Sequence, residues 1–276
     1  GDALAHAVNI VAPKHVIAGP ELVDVVAAVR PQLGPSVKCW AHGGDGHGFA
    51  RVDHFVRNLP GDRLARAEFT PPTIADRALY IYTSGTTGLP KAANVSHQRL
   101  MQWSYWFAGM LDVQPSDRMY NCLPLFHSTG GVVAVGAMLV SGGSVVVRRN
   151  FSASRFWDDV VESGCTMFQY IGELCRFLVN SPANPREREH RLRVCCGNGL
   201  AADVWGEFEE RFRIPRIVEF YAATEANFSL FNVEGKRGSI GRVPSFLAHR
   251  FPLALVKFDV DAGEPVREAD GFCARC

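Results

Sequence analysis

A short segment of the sequence places many small and hydroxyl-bearing residues close to one lysine. Glycines allow backbone N–H groups to approach phosphate oxygens, hydroxyls can donate to the same oxygens, and a lysine adds positive charge. Only 5 of the 29 basic residues are lysines, so a lysine in this segment stands out. The composition favours a polyphosphate site, and the alternative is a flexible loop of Ser, Thr and Gly without a ligand. The segment comprises Thr83, Ser84, Gly85, Thr86, Thr87, Gly88, Leu89, Pro90 and Lys91.

The spacing within this segment differs from that of the P-loop of kinases and NTPases. A P-loop places its lysine directly after the last glycine, and a Ser or Thr after the lysine. Here Leu89 and Pro90 separate Gly88 from Lys91, and Ala92 follows the lysine. A P-loop kinase or NTPase is therefore an alternative hypothesis, which ATP hydrolysis to ADP would support.

Two other segments carry residue types that suit nucleotide chemistry. His127 follows Phe126 in the loop 124–131, and Tyr221, Thr224 and Glu225 lie in the segment 221–225. An aromatic ring can stack on a base. A carboxylate beside a hydroxyl can bind Mg²⁺, which takes its remaining ligands from phosphates and water.

A third loop is rich in glycine and follows an apolar strand-like run. Gly197 and Asn198 end the run RLRVCCGN, and Gly199 follows it before a helical pattern begins. The two glycines could let the backbone lie against a ligand such as adenine. An ordinary strand-to-helix turn is an equally good interpretation of this pattern.

The elements that must position these loops follow from the hydrophobic pattern. From about residue 75 to residue 235, short apolar runs alternate with amphipathic runs, which predicts an α/β fold with mostly parallel sheets covered by helices. After Gly235 the runs LALVKFDV and GEPVRE flank the turn DAGE, which predicts a β-rich C-terminal lobe with a hairpin. Ligands bind at the carboxyl ends of parallel strands, so we expect loops 83–91, 124–131 and 221–225 to converge at one sheet edge.

Helical spacing also predicts which side chains are buried. In the helix near residues 20–33 the predicted apolar face comprises Leu22, Val25, Val26, Val29 and Leu33. In the helix near residues 96–111 it comprises Leu100, Met101, Ser104, Tyr105 and Ala108. A serine in SASRFWDDVVES is predicted to cap the helix that follows.

The segment YTSGTTGLPK resembles the signature of the adenylate-forming superfamily, which includes acyl-CoA synthetases, luciferases and peptide-synthetase adenylation domains. With Ala92 and Ala93 after the lysine, it is similar to the branch of fatty-acid transport proteins and very-long-chain acyl-CoA synthetases. The segments around His127 and from Tyr221 to Glu225 are similar to patterns of the wider superfamily. The segments GNGL at residues 197–200, GSIGRVP and VKFDVDAGEPVREADGFC are similar to the same branch. The resemblance implies an acyl-CoA synthetase-like large domain, present in part.

The resemblance also implies roles for individual residues. Tyr221 would stack on adenine, Thr224 would contact the α-phosphate, and Glu225 would bind Mg²⁺. His127 would be a positioning residue near the acyl carboxylate. The other implied site residues are Thr83 and Lys91 with Ser84, Gly85, Thr86, Thr87 and Gly88 around the phosphates, and Gly197, Asn198 and Gly199 around adenine and the acyl group.

The implied activity is a fatty acid–CoA ligase that uses ATP, Mg²⁺ and CoA and passes through an acyl-adenylate. Ala222 stands where the family has glycine, and Ala226 where the branch usually has glycine, so we expect an added methyl to crowd the nucleotide. Alternative hypotheses are a non-catalytic nucleotide- or lipid-binding module and a CoA ligase for another acid, such as carnitine, a bile acid or an aryl acid.

The proline pair Pro71 and Pro72 and the change of pattern after Gly235 predict a division into 1–72, a partial α/β subdomain, 73–235, an AMP-binding core, and 236–276, the start of a β-rich lobe. The resemblance implies that a small C-terminal domain with a catalytic lysine would lie beyond Cys276. We therefore expect the chain to be a fragment that is at best a weak nucleotide binder on its own.

Composition limits the class of partner. The net charge is +1 and no basic tail is present, so the sequence gives no indication of nucleic-acid binding. No signal peptide is recognised, and the longest apolar stretch, 130–147, is broken by glycine and serine near residue 142, unlike a membrane span. A fatty acid is the expected substrate. The expected location is the cytoplasm or, through peripheral membrane association, the inner face of the plasma membrane.

Overall fold

The amino-terminal part of the chain forms a small parallel sheet. A computed structural model describes residues 1–83, 88–226, 229–251 and 253–276. Strands β1, β2 and β3 pair in parallel, and the predicted βαβ unit is confirmed. The elements are α1 (Asp2–Val11), β1 (His15–Ala18), α2 (Val23–Val29), β2 (Lys38–Ala41), β3 (Ala50–Arg51) and α3 (Val52–Arg57).

The predicted buried face of α2 is partly wrong. Val26 and Val29 are buried as predicted, but Leu22 and Val25 are exposed and Val23 is fully buried. Valines at positions 23, 25, 26 and 29 offer two apolar stripes at helical spacing, so the sequence alone does not select one. Packing against β1 and β2 selects the stripe of Val23 and Val26.

A separate antiparallel hairpin follows. It consists of β4 (Arg77–Thr83) and β5 (Lys91–Ser96), which leads directly into α4 (His97–Met110). The Ser96 hydroxyl accepts a hydrogen bond of 3.2 Å from the backbone N–H of Arg99 and caps α4. The sequence analysis missed β5 because Lys91–Ser96 (KAANVS) has no strong apolar alternation.

The face of α4 is also partly wrong in the sequence analysis. Ser104 and Ala108 are buried as predicted, together with Phe107, whereas Met101 and Tyr105 are exposed. Aromatic residues on several sides of α4 blur its apolar period, and contact with α5 and the largest sheet decides which side is buried.

In the described part of the chain, the largest sheet has six strands in the order β11-β10-β9-β8-β6-β7, and every pairing is parallel except that of β11. The prediction of a mostly parallel sheet covered by helices is confirmed. Its elements are β6 (Arg118–Asn121), a π-helical segment (Ser128–Ala134), α5 (Val135–Ser141), β7 (Ser144–Val147), α6 (Phe156–Glu162), β8 (Met167–Ile171), α7 (Gly172–Asn180), β9 (Val194–Asn198), α8 (Ala202–Phe212), β10 (Ile217–Ala222) and β11 (Ser229–Asn232).

Each face of this sheet carries its own core. Side chains alternate between faces along a strand. On β8, Met167 therefore packs towards α4 and α5, and Phe168 packs towards α6, α7 and α8. Helix α6 begins at Phe156 with no side-chain cap, so the predicted serine cap is wrong.

The carboxyl-terminal residues form a small β-containing lobe. The predicted hairpin is confirmed as β12 (Phe258–Asp259) and β13 (Glu264–Pro265), paired antiparallel. Asp259 accepts the backbone N–H groups of Asp261 and Ala262 and so stabilises the turn. Across the described ranges, no helix is both long enough and apolar enough to span a membrane.

Candidate functional site

The chain places a cluster of polar loops at the carboxyl edge of the largest sheet. Strand β6 leads outwards to β7, whereas β8, β9 and β10 follow on the other side of β6. This reversal of strand order is the position at which open parallel sheets bind ligands. The loop 124–131 follows β6, and the segment 221–225 ends β10, so two of the three predicted loops lie at this edge.

The third predicted loop reaches the cluster by a different route. It connects β4 to β5 in the separate hairpin, so the expectation that it follows a strand of the main sheet is wrong. Thr83 and Lys91 face each other across the hairpin, where the loop begins and ends. Ser84, Gly85, Thr86 and Thr87 lie outside the described residues. Gly88 has φ of 98°, a backbone conformation that requires glycine.

Glu225 joins the hairpin to the end of β10. The Thr83 hydroxyl, followed by the Glu225 backbone and the charges of Lys91 and Arg99, lowers the pKa of the exposed Glu225 carboxyl. The Thr83 hydroxyl is itself buried and has no hydrogen-bond partner of normal geometry among the described residues. Glu225 is therefore ionised at neutral pH beside an unsatisfied hydroxyl.

Arg99 of α4 contacts the backbone of the segment that carries Glu225. Its guanidinium donates a hydrogen bond to the backbone carbonyl of Ala226 and lies 4.7 Å above the centre of the Trp103 ring. Burial lowers the pKa of Arg99, an effect that the negative charge of Glu225 opposes. Arg99 thus anchors the backbone that carries Thr224 and Glu225.

A contact between hydroxyls joins the loop after β6 to the same segment. Ser128 Oγ lies 3.4 Å from Thr224 Oγ1. The preceding residue, His127, is exposed, and its ring centre lies 4.6 Å from that of Phe126. The buried Asn121 side chain fixes this loop by donating to the Gly130 carbonyl at 3.0 Å and accepting the Leu123 N–H at 3.2 Å.

The turn after β9 lies beside the exposed end of β10. Gly197 pairs with Glu219 in the parallel register, and the half-exposed Tyr221 is two residues further along β10. Gly199 has φ of 82°, which explains this glycine, while a Cβ on Gly197 would collide with the Tyr170 ring at 2.4 Å. The Asn198 Oδ1 atom is buried and has no hydrogen-bond partner among the described residues.

An apolar cleft opens next to these loops. It has a volume of about 380 Å³ and lies between α4 and the strands β10 and β11. Ser128, Thr224 and Arg99 line its polar end. The aromatic and aliphatic lining comprises Trp103, Trp106, Phe107, Val133, Phe220, Phe231 and Phe251.

Sequence reasoning missed several residues of this site. Arg99 and the tryptophans of α4 gave no signal because they follow no recognised motif. Glu219 did give one, since a glutamate in the apolar strand IVEFYA requires a buried partner. Among the described residues, no group of three or more His, Cys, Asp or Glu side chains could hold a metal ion.

Comparison with known proteins gives one family. The family model described as AMP-binding enzyme matches residues 1–268. The chain is 43% identical to mouse long-chain fatty acid transport protein 1 over an alignment of 279 positions, which covers 99% of this chain and 43% of that protein. It is 40% identical to a medium/long-chain-fatty-acid–CoA ligase of Mycobacterium tuberculosis over 276 residues, covering 100% of this chain and 44% of the ligase.

Solved structures share the fold. The chain superposes on ATP-bound MatB from Rhodopseudomonas palustris with a TM-score of 0.73 and 24% identity, covering 96% of this chain and 50% of MatB. The fold prediction of an acyl-CoA synthetase-like large domain is therefore confirmed. The chain spans less than half of the length of the curated relatives that it matches.

Proposed function

This chain belongs to the AMP-binding enzyme family, and from that membership we propose that the protein is an ATP-dependent fatty acid–CoA ligase that forms an acyl-adenylate. The observation that carries the proposal is the juxtaposition of two unlike sites. A polar cluster with an ionised carboxylate and a lysine adjoins an apolar cleft of about 380 Å³. A reaction that joins a nucleotide to an apolar acid needs this combination.

In the nucleotide half of the site, we assign the phosphates to the hairpin and adenine to the strand ends. Lys91 supplies positive charge, Thr83 supplies an unsatisfied hydroxyl, and Thr224 contacts the α-phosphate. Gly88 lies next to the β- and γ-phosphates. Adenine lies between Tyr221 and the turn formed by Gly197, Asn198 and Gly199.

Glu225 fits a role as the protein ligand of Mg²⁺. The carboxylate is exposed and ionised, and hydroxyl oxygens lie beside it. Mg²⁺ usually binds through one or two carboxylates and completes its shell with phosphates and water. When bound, the ion would neutralise phosphate charge. Glu225 would hold it at the phosphates, and Arg99 would keep the Glu225 backbone in place.

In the acyl half of the site, the cleft takes the hydrocarbon chain of the fatty acid. Its aromatic walls bury apolar surface, which is favourable by about 25 cal/mol per Å². Ser128 and Thr224 at the polar end receive the carboxylate, and His127 positions it. A carboxylate oxygen then attacks the α-phosphorus, the bond to the leaving oxygen breaks, and pyrophosphate departs.

The second half-reaction consumes the acyl-adenylate. The CoA thiol loses its proton to solvent and attacks the acyl carbonyl carbon, and AMP leaves. In both halves this chain binds and aligns the reacting groups, so its contribution is positioning and charge stabilisation. Ala222 and Ala226 line the cleft, and Ala222 also directly follows Tyr221 at the end of β10. We therefore expect weaker ATP binding than with glycine at these two positions.

The names of two relatives, a long-chain fatty acid transport protein and a medium/long-chain-fatty-acid–CoA ligase, support a link between ligation and fatty acid transport. As a separate proposal, the protein acts in the cytoplasm or at the inner face of the plasma membrane. We also propose that residues 1–72, 73–235 and 236–276 are separate folding units of the larger protein.

The test uses oleoyl-sulfamoyl-adenosine, a stable mimic of the acyl-adenylate. Because it fills the cleft and the nucleotide site together, we expect this chain to bind it at least about 100-fold more tightly than AMP, as such analogues bind relative to substrates. Binding of oleate that is unaffected by AMP, with no gain for the mimic, would instead identify a lipid-binding module.

Turnover is measured on the protein that carries this chain at the length of its relatives. We expect pyrophosphate release that depends on a fatty acid, with the highest rate for long chains. Release of ADP, or a higher rate with carnitine, a bile acid or an aryl acid, would contradict the proposal.

A further inference from the structure

A buried carboxylate lies beneath the turn that the proposed function assigns to adenine. Glu219, in the middle of β10, is 2% exposed. Its Oε1 atom accepts the backbone N–H groups of Gly199 and, at 3.1 Å, of Leu200. Its Oε2 atom accepts the Tyr170 hydroxyl at 2.6 Å. One side chain of β10 therefore fixes the backbone that follows β9.

The Tyr170 side chain explains why residue 197 of this turn is a glycine, without reference to a ligand. Tyr170, Gly197 and Glu219 form one row across β8, β9 and β10, and all three are buried. Tyr170 reaches Glu219 because the strand between them carries no side chain at this level. A Cβ on Gly197 would lie 2.4 Å from the Tyr170 ring.

The turn is confined on its other side as well. A Cβ on Gly172, the first residue of α7, would lie 1.7 Å from the Gly199 carbonyl oxygen. Glu219 is also two residues before Tyr221 on the same strand, so both side chains point to the same face of the sheet. Glu219 thus connects two features that would enclose the base.

Building on the proposed function, we propose that Glu219, held by Tyr170, is a positioning residue that sets the spacing between the turn 197–200 and Tyr221 and thereby the affinity for adenine. It does not touch the nucleotide. Burial raises the pKa of Glu219, and the three hydrogen bonds partly offset this cost. Removing a carboxylate from water costs folding free energy even when it accepts three hydrogen bonds, so a role in fixing the local geometry would explain why Glu219 lies here.

The core offers a matched control. Tyr120 is also fully buried, and its hydroxyl lies 3.4 Å from the buried Asp159 carboxylate. The two tyrosines belong to the same apolar cluster, on β6 and β8 respectively. Tyr120→Phe therefore also removes a tyrosine hydroxyl from this apolar cluster, but at a site that does not contact the turn 197–200.

The experiment measures dissociation constants of this chain for ATP and pyrophosphate by titration, with thermal unfolding recorded for each variant. We expect Tyr170→Phe to raise the Kd for ATP about tenfold, as for the loss of one buried hydrogen bond, and the Kd for pyrophosphate less than about twofold. Tyr120→Phe should change both by less than about twofold.

Glu219→Gln separates hydrogen bonding from charge. The amide oxygen can still accept both backbone N–H groups, and the amide NH₂ can donate to the Tyr170 oxygen, so we expect ATP affinity within about threefold of the unchanged chain. In Glu219→Leu we expect the affinity for ATP to fall about tenfold or more, because leucine cannot accept these hydrogen bonds. Hydrogen exchange at the Gly199 and Leu200 amides should accelerate about tenfold in Tyr170→Phe and stay unchanged in Tyr120→Phe.

Several results would overturn the inference. The first is an equal increase of the Kd for ATP in Tyr170→Phe and Tyr120→Phe. The second is an equal loss of affinity for ATP and for pyrophosphate in Tyr170→Phe. The third is a Glu219→Gln variant that binds ATP as weakly as Glu219→Leu. If the unchanged chain bound pyrophosphate but not ATP, the adenine site and the inference would both fail. If it bound neither, the proposed function would fail, while unaccelerated amide exchange in Tyr170→Phe would refute the positioning by Glu219 separately.

Discussion

At the scale of single residues, buried polar groups divide into two kinds. Glu219 and Asp117 have all the partners that their position requires, and they stabilise backbone or neighbouring strands. The Thr83 Oγ1 and Asn198 Oδ1 atoms are buried and have no hydrogen-bond partner of normal geometry among the described residues, and the same holds for the buried Gln169 amide. Unsatisfied buried groups are uncommon in native proteins. Since Thr83 and Asn198 lie on the loops of the candidate site, these are the two positions at which we expect a ligand to complete the hydrogen bonds.

The role of Glu225 can be tested by removing its charge. In Glu225→Gln we expect the increase in ATP affinity caused by Mg²⁺ to fall about tenfold, because a neutral amide is a poor ligand for this ion. Since the pKa of Glu225 is lowered, the Mg²⁺ effect should persist down to about pH 5 in the unchanged chain. The measurement is an ATP titration with and without Mg²⁺. Glu234→Gln, at another exposed carboxylate, serves as the control and should leave the Mg²⁺ effect intact.

Unlike Glu225, the Asp117 carboxylate contributes to the stability of the fold and not to ligand binding. Burial would raise the pKa of Asp117, but hydrogen bonds from Arg193, from the Gln114 N–H and from Thr166 outweigh it, and the pKa is lowered. Its stabilisation is therefore present above the ordinary carboxyl pKa of about 3.9 and is lost as the pH falls through the lowered value.

We expect Asp117→Asn to reduce the free energy of unfolding by about 2 kcal/mol at pH 7, and by less at low pH, since the partly exposed Arg193 loses its buried partner. Urea unfolding at several pH values measures this. ATP affinity should not change, because Asp117 precedes β6, at the edge opposite to the site. A stability loss that is independent of pH would contradict the assignment.

At the scale of elements, the hairpin of β4 and β5 and the helix α4 supply what the main sheet lacks. The hairpin carries Thr83 and Lys91 towards Glu225. Helix α4 forms one wall of the cleft and, through Arg99, fixes the end of β10. The site thus depends on how three independent elements pack, although each carries its own motif.

Gly88→Ala tests the geometry of the hairpin loop. A methyl group at this φ of 98° is strained by about 1–2 kcal/mol, although no atom of the described residues obstructs it. We expect ATP affinity to fall about fivefold or more. Gly164 also has a positive φ and open space, but it precedes β8 at the other edge, so Gly164→Ala should cost similar stability without affecting ATP. Equal ATP affinities for the two variants would argue against the loop as phosphate site.

Trp106→Ala tests α4 as the wall of the acyl cleft. Removing this half-exposed ring should weaken binding of the oleoyl mimic by about 1 kcal/mol or more, roughly fivefold, and binding of an acetyl mimic hardly at all. Tyr105→Ala on the same helix removes an exposed aromatic ring that does not line the cleft, and it should have no effect on either. If Trp106→Ala weakened the binding of both mimics equally, the hydrocarbon chain of the fatty acid would have to bind outside this cleft.

At the scale of the whole molecule, the described sheets are separated by a long exposed stretch. All residues from 54 to 77 are exposed, and they connect the three-stranded sheet to the hairpin. Few buried contacts stabilise such a stretch, so it should open more readily than the two cores of the main sheet.

Limited proteolysis tests this difference. We expect trypsin to cleave first after Arg57, Arg63 or Arg66, at least about tenfold faster than after Arg193 or Arg216 in the main sheet region. Mass spectrometry of the early fragments identifies the sites. Initial cleavage within residues 118–222 would contradict the proposed boundary near residue 72.

The sequence by itself determined the fold class, the family resemblance and most of the motif positions. Short apolar runs such as those of β8 and β9, alternating with amphipathic runs, are typical of a parallel sheet that is covered by helices on both faces. The segment from Thr83 to Lys91 is specific enough to identify from its residue types. These features are local, so a linear pattern records them.

Only the tertiary structure decided which faces of α2 and α4 are buried, that the Gly-rich segment belongs to a separate hairpin, and that Arg99 and Glu219 support the site. Each of these depends on contacts between residues far apart in sequence. Tyr170 and Glu219, for example, are 49 positions apart and meet only because a glycine lies on the strand between them. No periodicity along the chain records such a contact.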